Sequence, residues 1–406
     1  MRRAAGLALM LALQAAPAAA LDGGRYGEVQ LALPQGQPTG YVVLFSDRGG
    51  WQASDQAALD AIAGLGAIAI GVDTDRYYAR LVADAKPCDQ LVGDVEGLSR
   101  QLQHESSGDT YRFPILAGTG AGGALALGIL GQAPGHTLSG AAALDPAASS
   151  DTPHPLCPGP AGAPFGFSDS AMRDGTTEAA SFQALLAPRL TAATPQGVEA
   201  LPLEELPATA PTRLMAVVLS GDGGWRDLDK TIADALQKEG VSVLGWDSLR
   251  YFWSRKTPEQ TAADLAAAIE AYGERWHADR VALIGYSFGA DVLPATYDLL
   301  PAPIKRKIVL ISLLALSERA DWEISVTGWL GAPPTDAAVP IAPSLAAIPG
   351  KLLQCFYGAD EIGTGCPALA DRGADIVRTS GGHHFDGDYK ALADRILEKF
   401  RAAAAP

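Results

Sequence analysis

The sequence predicts an α/β protein built twice: two domains in tandem, each a mainly parallel sheet with helices on both faces. Three observations predict it. Apolar runs of strand length alternate with helix-compatible segments through the second half; a G-x-S-x-G turn follows one of those runs directly; and three motifs recur in the same order in both halves.

In the second half, residues 215–219, 241–245, 281–285, 308–314, 352–357 and 375–379 read as strands. They are almost continuously apolar, as strands covered on both faces must be. Residues 257–272 open with Thr257, Pro258 and Glu259, which is a cap, a first-turn proline and an acidic first turn, so a helix is expected there. Residues 389–402 supply a closing amphipathic helix.

The first half echoes the second. L-F-S-D-R-G-G-W at 44–51 matches L-S-G-D-G-G-W at 219–225, G-V-D-T-D-R-Y-Y at 71–78 matches G-W-D-S-L-R-Y-F at 245–252, and I-L-A-G-T-G-A-G at 115–122 matches L-I-G-Y-S-F-G at 283–289. Three matches in one order indicate a tandem duplication. In that register Gly120 stands where the second copy has Ser287, so the first copy has no hydroxyl with which to attack and is expected to be catalytically dead.

The chain has 406 residues, enough for two full cores. Residues 1–20 read as a secretory signal peptide: Arg2 and Arg3, an apolar stretch, then Ala18-Ala19-Ala20 as a cleavage site. An Ala-, Pro- and Thr-rich stretch around 187–195 reads as linker. The expected domains are therefore 21–195, degenerate, and 196–406, catalytic; residues 201–206 are a candidate first strand of the latter. Export makes the four cysteines legible, and two in each half suggest Cys88 with Cys157 and Cys355 with Cys366. Their spacing, with no histidines nearby, does not fit zinc, and no metal or other cofactor is expected. The formal charge of −15 argues against nucleic acid as a partner and suits a cationic ligand better.

The G-Y-S-F-G run at 285–289 lies between an apolar strand and a helix-compatible segment. That is the setting of a nucleophile elbow, where a sharp turn exposes a serine to a base and the following helix offers backbone N–H groups to an oxyanion. This setting resembles the α/β-hydrolase fold, whose triad runs Ser, acid, His along the chain. Ser287 is then the nucleophile. Asp360, after the strand at 352–357, is the favoured acid, with Glu361 its rival; a bridge between Cys355 and Cys366 would confine the loop that holds them. His384 is the favoured base, because in this fold a flexible pair usually precedes the histidine and an aromatic follows it; His383 is second choice. The remaining histidines, His104, His136, His154 and His277, have no motif around them and are expected at the surface. The oxyanion donors are expected to be the N–H of Phe288 and that of Asp222 or Gly221, from the glycine-rich loop at 220–225.

Four motifs, S-G-D-G-G-W, W-D-S-L-R-Y-F-W-S-R-K-T-P-E-Q, G-Y-S-F-G-A-D-V-L-P and G-G-H-H-F-D-G-D-Y, span nearly all of the second half, and together they resemble the VirJ/AcvB family in its long form. The resemblance implies a periplasmic serine hydrolase that cleaves the aminoacyl ester of lysyl-phosphatidylglycerol at the periplasmic face of the inner membrane. It also implies a link to virulence and to proteins of type IV secretion. For such a substrate, Asp291, Asp247 and Asp222 are candidates to pair with its ammonium groups, Tyr251, Phe252 and Trp253 to wall the lipid, and Arg255 and Lys256 to meet its phosphate. Two other readings are a non-catalytic scaffold of a secretion apparatus and a generic exported carboxylesterase.

Overall fold

The computed structural model describes residues 23–82, 86–106, 108–190, 196–324 and 337–405. The expected signal peptide lies outside them, and so does the expected boundary at 195.

The duplication is visible in the topology. In the first sheet the strands are β1 (Gln30–Ala32), β2 (Gly40–Phe45), β3 (Ala67–Val72), β4 (Ile115–Thr119), β5 (Gly140–Leu144) and β6 (Phe167–Ala171), ordered β1-β3-β2-β4-β5-β6. The second sheet is formed by β7 (Leu203–Leu206), β8 (Leu214–Leu219), β9 (Ser242–Trp246), β10 (Arg280–Tyr286) and β11 (Ile308–Leu314). It is completed, past a small antiparallel sheet of β12 (Arg319–Ala320) and β13 (Val339–Pro340), by β14 (Leu353–Gly358) and β15 (Asp375–Thr379). Its order is β15-β14-β11-β10-β8-β9-β7. In each sheet an antiparallel strand, β1 or β7, caps one edge, and the other strands run parallel. Six positions therefore correspond one to one. Among the described residues the seventh strand, β15, the one whose end carries the paired histidines, has no counterpart in the first sheet.

Both sheets are buried on both faces, which is why their strands read as unbroken apolar runs. Along β8, Met215, Val217 and Leu219 enter one core while Ala216 and Val218 enter the other. Along β2, Tyr41, Val43 and Phe45 alternate with Val42 and Leu44 in the same way. The helix Pro258–Arg275 begins as expected: Thr257 accepts from the Gln260 N–H, and Pro258 opens the first turn. The closing helix is Tyr389–Ala404, and its Leu392, Ile396 and Phe400 pack on the sheet. A repeated packing device explains two glycines of the shared motifs. A Cβ on Gly71 would lie 2.2 Å from the Trp51 ring, and one on Gly245 would lie 2.5 Å from the Trp225 ring. Only glycine leaves space for the indole.

Cys88 is bonded to Cys157 and Cys355 to Cys366, as the sequence predicts. Among the described residues no helix is long and apolar enough to cross a membrane. The domains touch through side chains: Tyr111 of the first packs 4.9 Å from the Trp253 ring of the second, Arg226 pairs with Glu96, and His136 faces Glu204 at 3.1 Å. His136, expected at the surface, is instead stacked 4.2 Å from Phe165.

Candidate active site

β10 is the central strand of the second sheet, and Ser287 follows it at the mouth of the helix Phe288–Leu299. The serine backbone has φ 51°, a left-handed conformation costly for any residue with a Cβ. What holds it there is close packing at the flanking glycines. A Cβ on Gly285 would lie 2.5 Å from the Gly289 carbonyl oxygen, and one on Gly289 would lie 2.4 Å from that of Leu219. The Ser287 N–H donates to the Leu314 carbonyl at 2.9 Å, tying the turn to β11.

Ser287 Oγ lies 2.9 Å from His383 Nε2, and His383 Nδ1 lies 2.8 Å from Glu361 Oε1. The network assigns the neutral imidazole its tautomer: Nδ1–H donates to the carboxylate and Nε2 accepts from the hydroxyl. The structure thus brings Ser287 together with Glu361 and His383, and not with Asp360 and His384. Local geometry gives the reason. The Glu361 N–H donates to the Gly358 carbonyl, closing a tight turn in which Asp360 is exposed; the Asp360 N–H is spent on the Gly381 carbonyl. The side chain of Glu361 folds inward instead, 9% exposed, and its Oε2 accepts from the Gly358 N–H at 3.3 Å. On the facing loop, His384 Nδ1 is 2.9 Å from the Tyr286 hydroxyl, so its ring is held on the residue before the nucleophile while its neighbour faces the serine. The two loops meet backbone to backbone, since a Cβ on Gly358 would lie 2.3 Å from the Gly382 carbonyl oxygen. The Cys355–Cys366 bridge closes the loop holding Glu361.

The first copy shows what the expected oxyanion donors can hold. There the elbow persists around Gly120, at φ 56°, but Asp47 stands where the second copy has Gly221. Asp47 Oδ1 accepts from the N–H of Ala121 at 2.9 Å and from that of Arg48 at 2.8 Å. In the repeat register those donors are Phe288 and Asp222. In the first copy a carboxylate oxygen of the protein itself thus sits between these two donors, and Gly221 leaves the corresponding place open in the second copy. A Cβ on Gly120 would lie 2.1 Å from Asp47 Oδ1, so the carboxylate also fills the space of the missing hydroxyl.

The same comparison corrects two proposed substrate contacts. Asp247 is fully buried and caps the helix Ser248–Tyr251 by accepting from the Arg250 N–H at 3.2 Å; Asp73 does the same for Arg76 at 3.0 Å in the first copy. The Tyr251 hydroxyl donates to Asp264 at 2.6 Å, as Tyr77 donates to Asp94 at 2.6 Å. Features shared with a copy that has glycine in place of Ser287 belong to the fold. Phe252 and Trp253 are likewise core residues. Asp291 does not line the cleft either: its Oδ1 accepts from the Ser317 N–H at 2.8 Å, and burial pushes its carboxyl up to about 8.

The cleft above Ser287 has a volume of about 900 Å³ and is walled by Asp222, Asp227, Asp229, His383, Ile362 and Tyr389 among others. Asp222, Asp227 and Asp229 stand on one wall with Arg226, whose charge is engaged by Glu96, so Asp222 and Asp227 make that wall acidic. Sequence reasoning named only Asp222 of these. Asp229 is 3% exposed with one oxygen lacking a hydrogen-bond partner, and burial raises its carboxyl well above the ordinary range. Its sequence signal was the repeat, because Asp55 is its counterpart and caps the matching helix through the Gln52 N–H.

Residues 213–404 match a family model described as VirJ, bacterial virulence protein. No curated protein matches the chain. Among solved structures, Est1E from Butyrivibrio proteoclasticus with ferulic acid bound is 10% identical, covers 52% of this chain and 98% of its own, and has a TM-score of 0.37. A thioesterase domain from the curacin biosynthetic pathway is 16% identical over 49% of this chain and 99% of its own, with a TM-score of 0.32. A putative thioesterase from Silicibacter sp. TM1040 is 18% identical over 56% of this chain and 89% of its own, with a TM-score of 0.35.

Proposed function

Because its residues 213–404 belong to the VirJ family, we propose that this protein is an exported serine hydrolase that cleaves the aminoacyl ester of lysyl-phosphatidylglycerol, releasing lysine and leaving phosphatidylglycerol. The observation that carries the hydrolase reading is the chain of contacts from Ser287 Oγ to His383 Nε2, at 2.9 Å, and from His383 Nδ1 to Glu361, at 2.8 Å. Disulfides at all four cysteines support an oxidising compartment such as the periplasm.

In this mechanism His383 Nε2 takes the hydroxyl proton as Ser287 Oγ bonds to the ester carbonyl carbon. The carbonyl oxygen becomes an alkoxide held by the N–H groups of Phe288 and Asp222. Collapse of this intermediate breaks the bond to the lipid glycerol oxygen, which leaves with the proton from His383. Water, deprotonated by the same imidazole, then releases the lysyl group and restores Ser287. Glu361 keeps the imidazole in its tautomer and offsets its transient positive charge. The acidic side chains of Asp222 and Asp227 support a substrate whose acyl part carries ammonium groups.

The direct test is hydrolysis of lysyl-phosphatidylglycerol in vesicles by the purified protein, beside Ser287→Ala and a panel of simple esters. Release of lysine that the variant abolishes supports the proposal. Hydrolysis of the simple esters alone makes the protein a generic carboxylesterase; a folded protein that neither hydrolyses esters nor is labelled at Ser287 by a fluorophosphonate is a scaffold.

A further inference from the structure

Between the domains lies a second cavity of about 380 Å³, which shares no lining residue with the cleft above Ser287. Its size is within the range typical of small-ligand sites, and domain interfaces are where such sites often occur. Its walls carry three arginines, Arg112, Arg189 and Arg250, from two domains. In a chain with a formal charge of −15 that is a local reversal of sign. The carboxylates nearby are already engaged: Glu204 faces His136 at 3.1 Å, and Asp169 holds Arg189 at 3.2 Å. Asp247, beside Arg250, is fully buried as a helix cap, and burial biases its carboxyl towards the neutral form. Among the described residues neither Arg112 nor Arg250 has a carboxylate within ion-pair distance.

Both are nonetheless held in place. The Gln103 side chain, 1% exposed, accepts from the Arg112 N–H at 2.8 Å and donates to its carbonyl at 2.7 Å, clamping that backbone. The Arg250 guanidinium lies 5.3 Å from the centre of the Phe113 ring, and its Nε is buried without a hydrogen-bond partner. A buried guanidinium N–H left unpaired is costly, and an anion would satisfy it. Two guanidiniums with no carboxylate in ion-pair contact match the charge of a phosphate better than that of a single carboxylate, and their planar forks suit its oxygens. Phe113 and Phe165 give the cavity an apolar wall for whatever the phosphate is attached to.

We propose that this interdomain cavity binds a phosphate ester through Arg112 and Arg250, either a soluble one or the headgroup of an anionic phospholipid. It would give the degenerate first domain a role in ligand binding, independent of the chemistry at Ser287.

The test is calorimetric titration of the full chain with glycerol 3-phosphate and with dihexanoylphosphatidylglycerol, using dihexanoylphosphatidylcholine as the zwitterionic control. Binding of at least one anion with a submillimolar Kd is expected, weakened at least tenfold in R112Q/R250Q. It should be unchanged in R213Q/R395Q, which makes the same charge change at exposed ion pairs elsewhere. Binding of glycerol 3-phosphate, with or without the lipid, identifies a soluble phosphate ester; binding of the lipid alone identifies a headgroup. Failure of both anions to bind, or equal binding by the two double variants, overturns the proposal. If R112Q/R250Q does not fold by circular dichroism, R112Q alone decides, because Arg112 is exposed: a threefold or greater loss supports the site, and a smaller one overturns it.

Discussion

Asp47 places its carboxylate oxygen 2.9 Å from the backbone nitrogen of Ala121, on the donor that Phe288 supplies in the second domain. One sequence has thus built the same elbow twice and closed one copy with its own side chain. The relationship predicts that Gly221→Asp will close the other. An aspartate there would accept from the Phe288 and Asp222 N–H groups and fill the oxyanion position. Loss of oxyanion stabilisation is worth about 3 to 4 kcal/mol, so kcat/KM for any ester should fall at least 100-fold. Circular dichroism and the thermal midpoint should stay near wild type. Retained activity in a folded G221D would show that these two N–H groups do not hold the oxyanion.

The triad assignment separates neighbouring residues sharply. Glu361→Gln leaves the geometry but cannot offset the imidazolium or enforce the tautomer, and should lower kcat by roughly 100- to 10,000-fold. Asp360→Asn, on the exposed corner of the turn, should stay within about threefold of wild type. His383→Ala should abolish fluorophosphonate labelling at Ser287, whereas His384→Ala should retain it. The reverse pattern in either pair would restore the order Ser287, Asp360, His384.

These pairs also show where the sequence stops being legible. Strand periodicity and the elbow fix which loops meet, because burial on two faces and a G-x-S-x-G turn are written in residue types. The choice between Asp360 and Glu361, or between His383 and His384, depends on which way a side chain leaves a tight turn. That direction is set by contacts such as Gly358 with Gly382 and Tyr286 with His384, which are distant in sequence. Asp247 and Tyr251 misled for a different reason. They stand beside functional motifs, yet the first copy, which has Gly120 in place of the serine, keeps Asp73 and Tyr77 in the same bonds.

Asp291 predicts a pH dependence of stability. Burial raises its carboxyl to about 8, above an unfolded value of about 4. Between those values the folded chain keeps a proton that the unfolded chain releases, so this contribution is full below about pH 4 and is lost as pH rises through about 8. A carboxamide at this position has no proton to release and can still accept from the Ser317 N–H. Asp291→Asn should therefore match wild type near pH 4 and exceed its stability at about pH 8.5 by on the order of 1 to 3 kcal/mol. Urea denaturation across that range measures the difference; parallel stability curves would mean that Asp291 ionises normally.

The last prediction concerns how the cleft meets a lipid. Ile362 follows Glu361, lines the cleft above Ser287 and is 98% exposed. An aliphatic side chain so placed is idle in water. Burying it in a bilayer surface would contribute about 1.5 to 3 kcal/mol, roughly 10- to 100-fold in productive encounters with a membrane-held ester. Ile362→Asp reverses that contribution without touching Ser287 or His383. Hydrolysis of lysyl-phosphatidylglycerol in vesicles should then fall at least tenfold, while turnover of a short, soluble ester stays within about twofold. Equal losses on both substrates would instead place Ile362 in the support of Glu361, and no loss on either would remove it from lipid recognition.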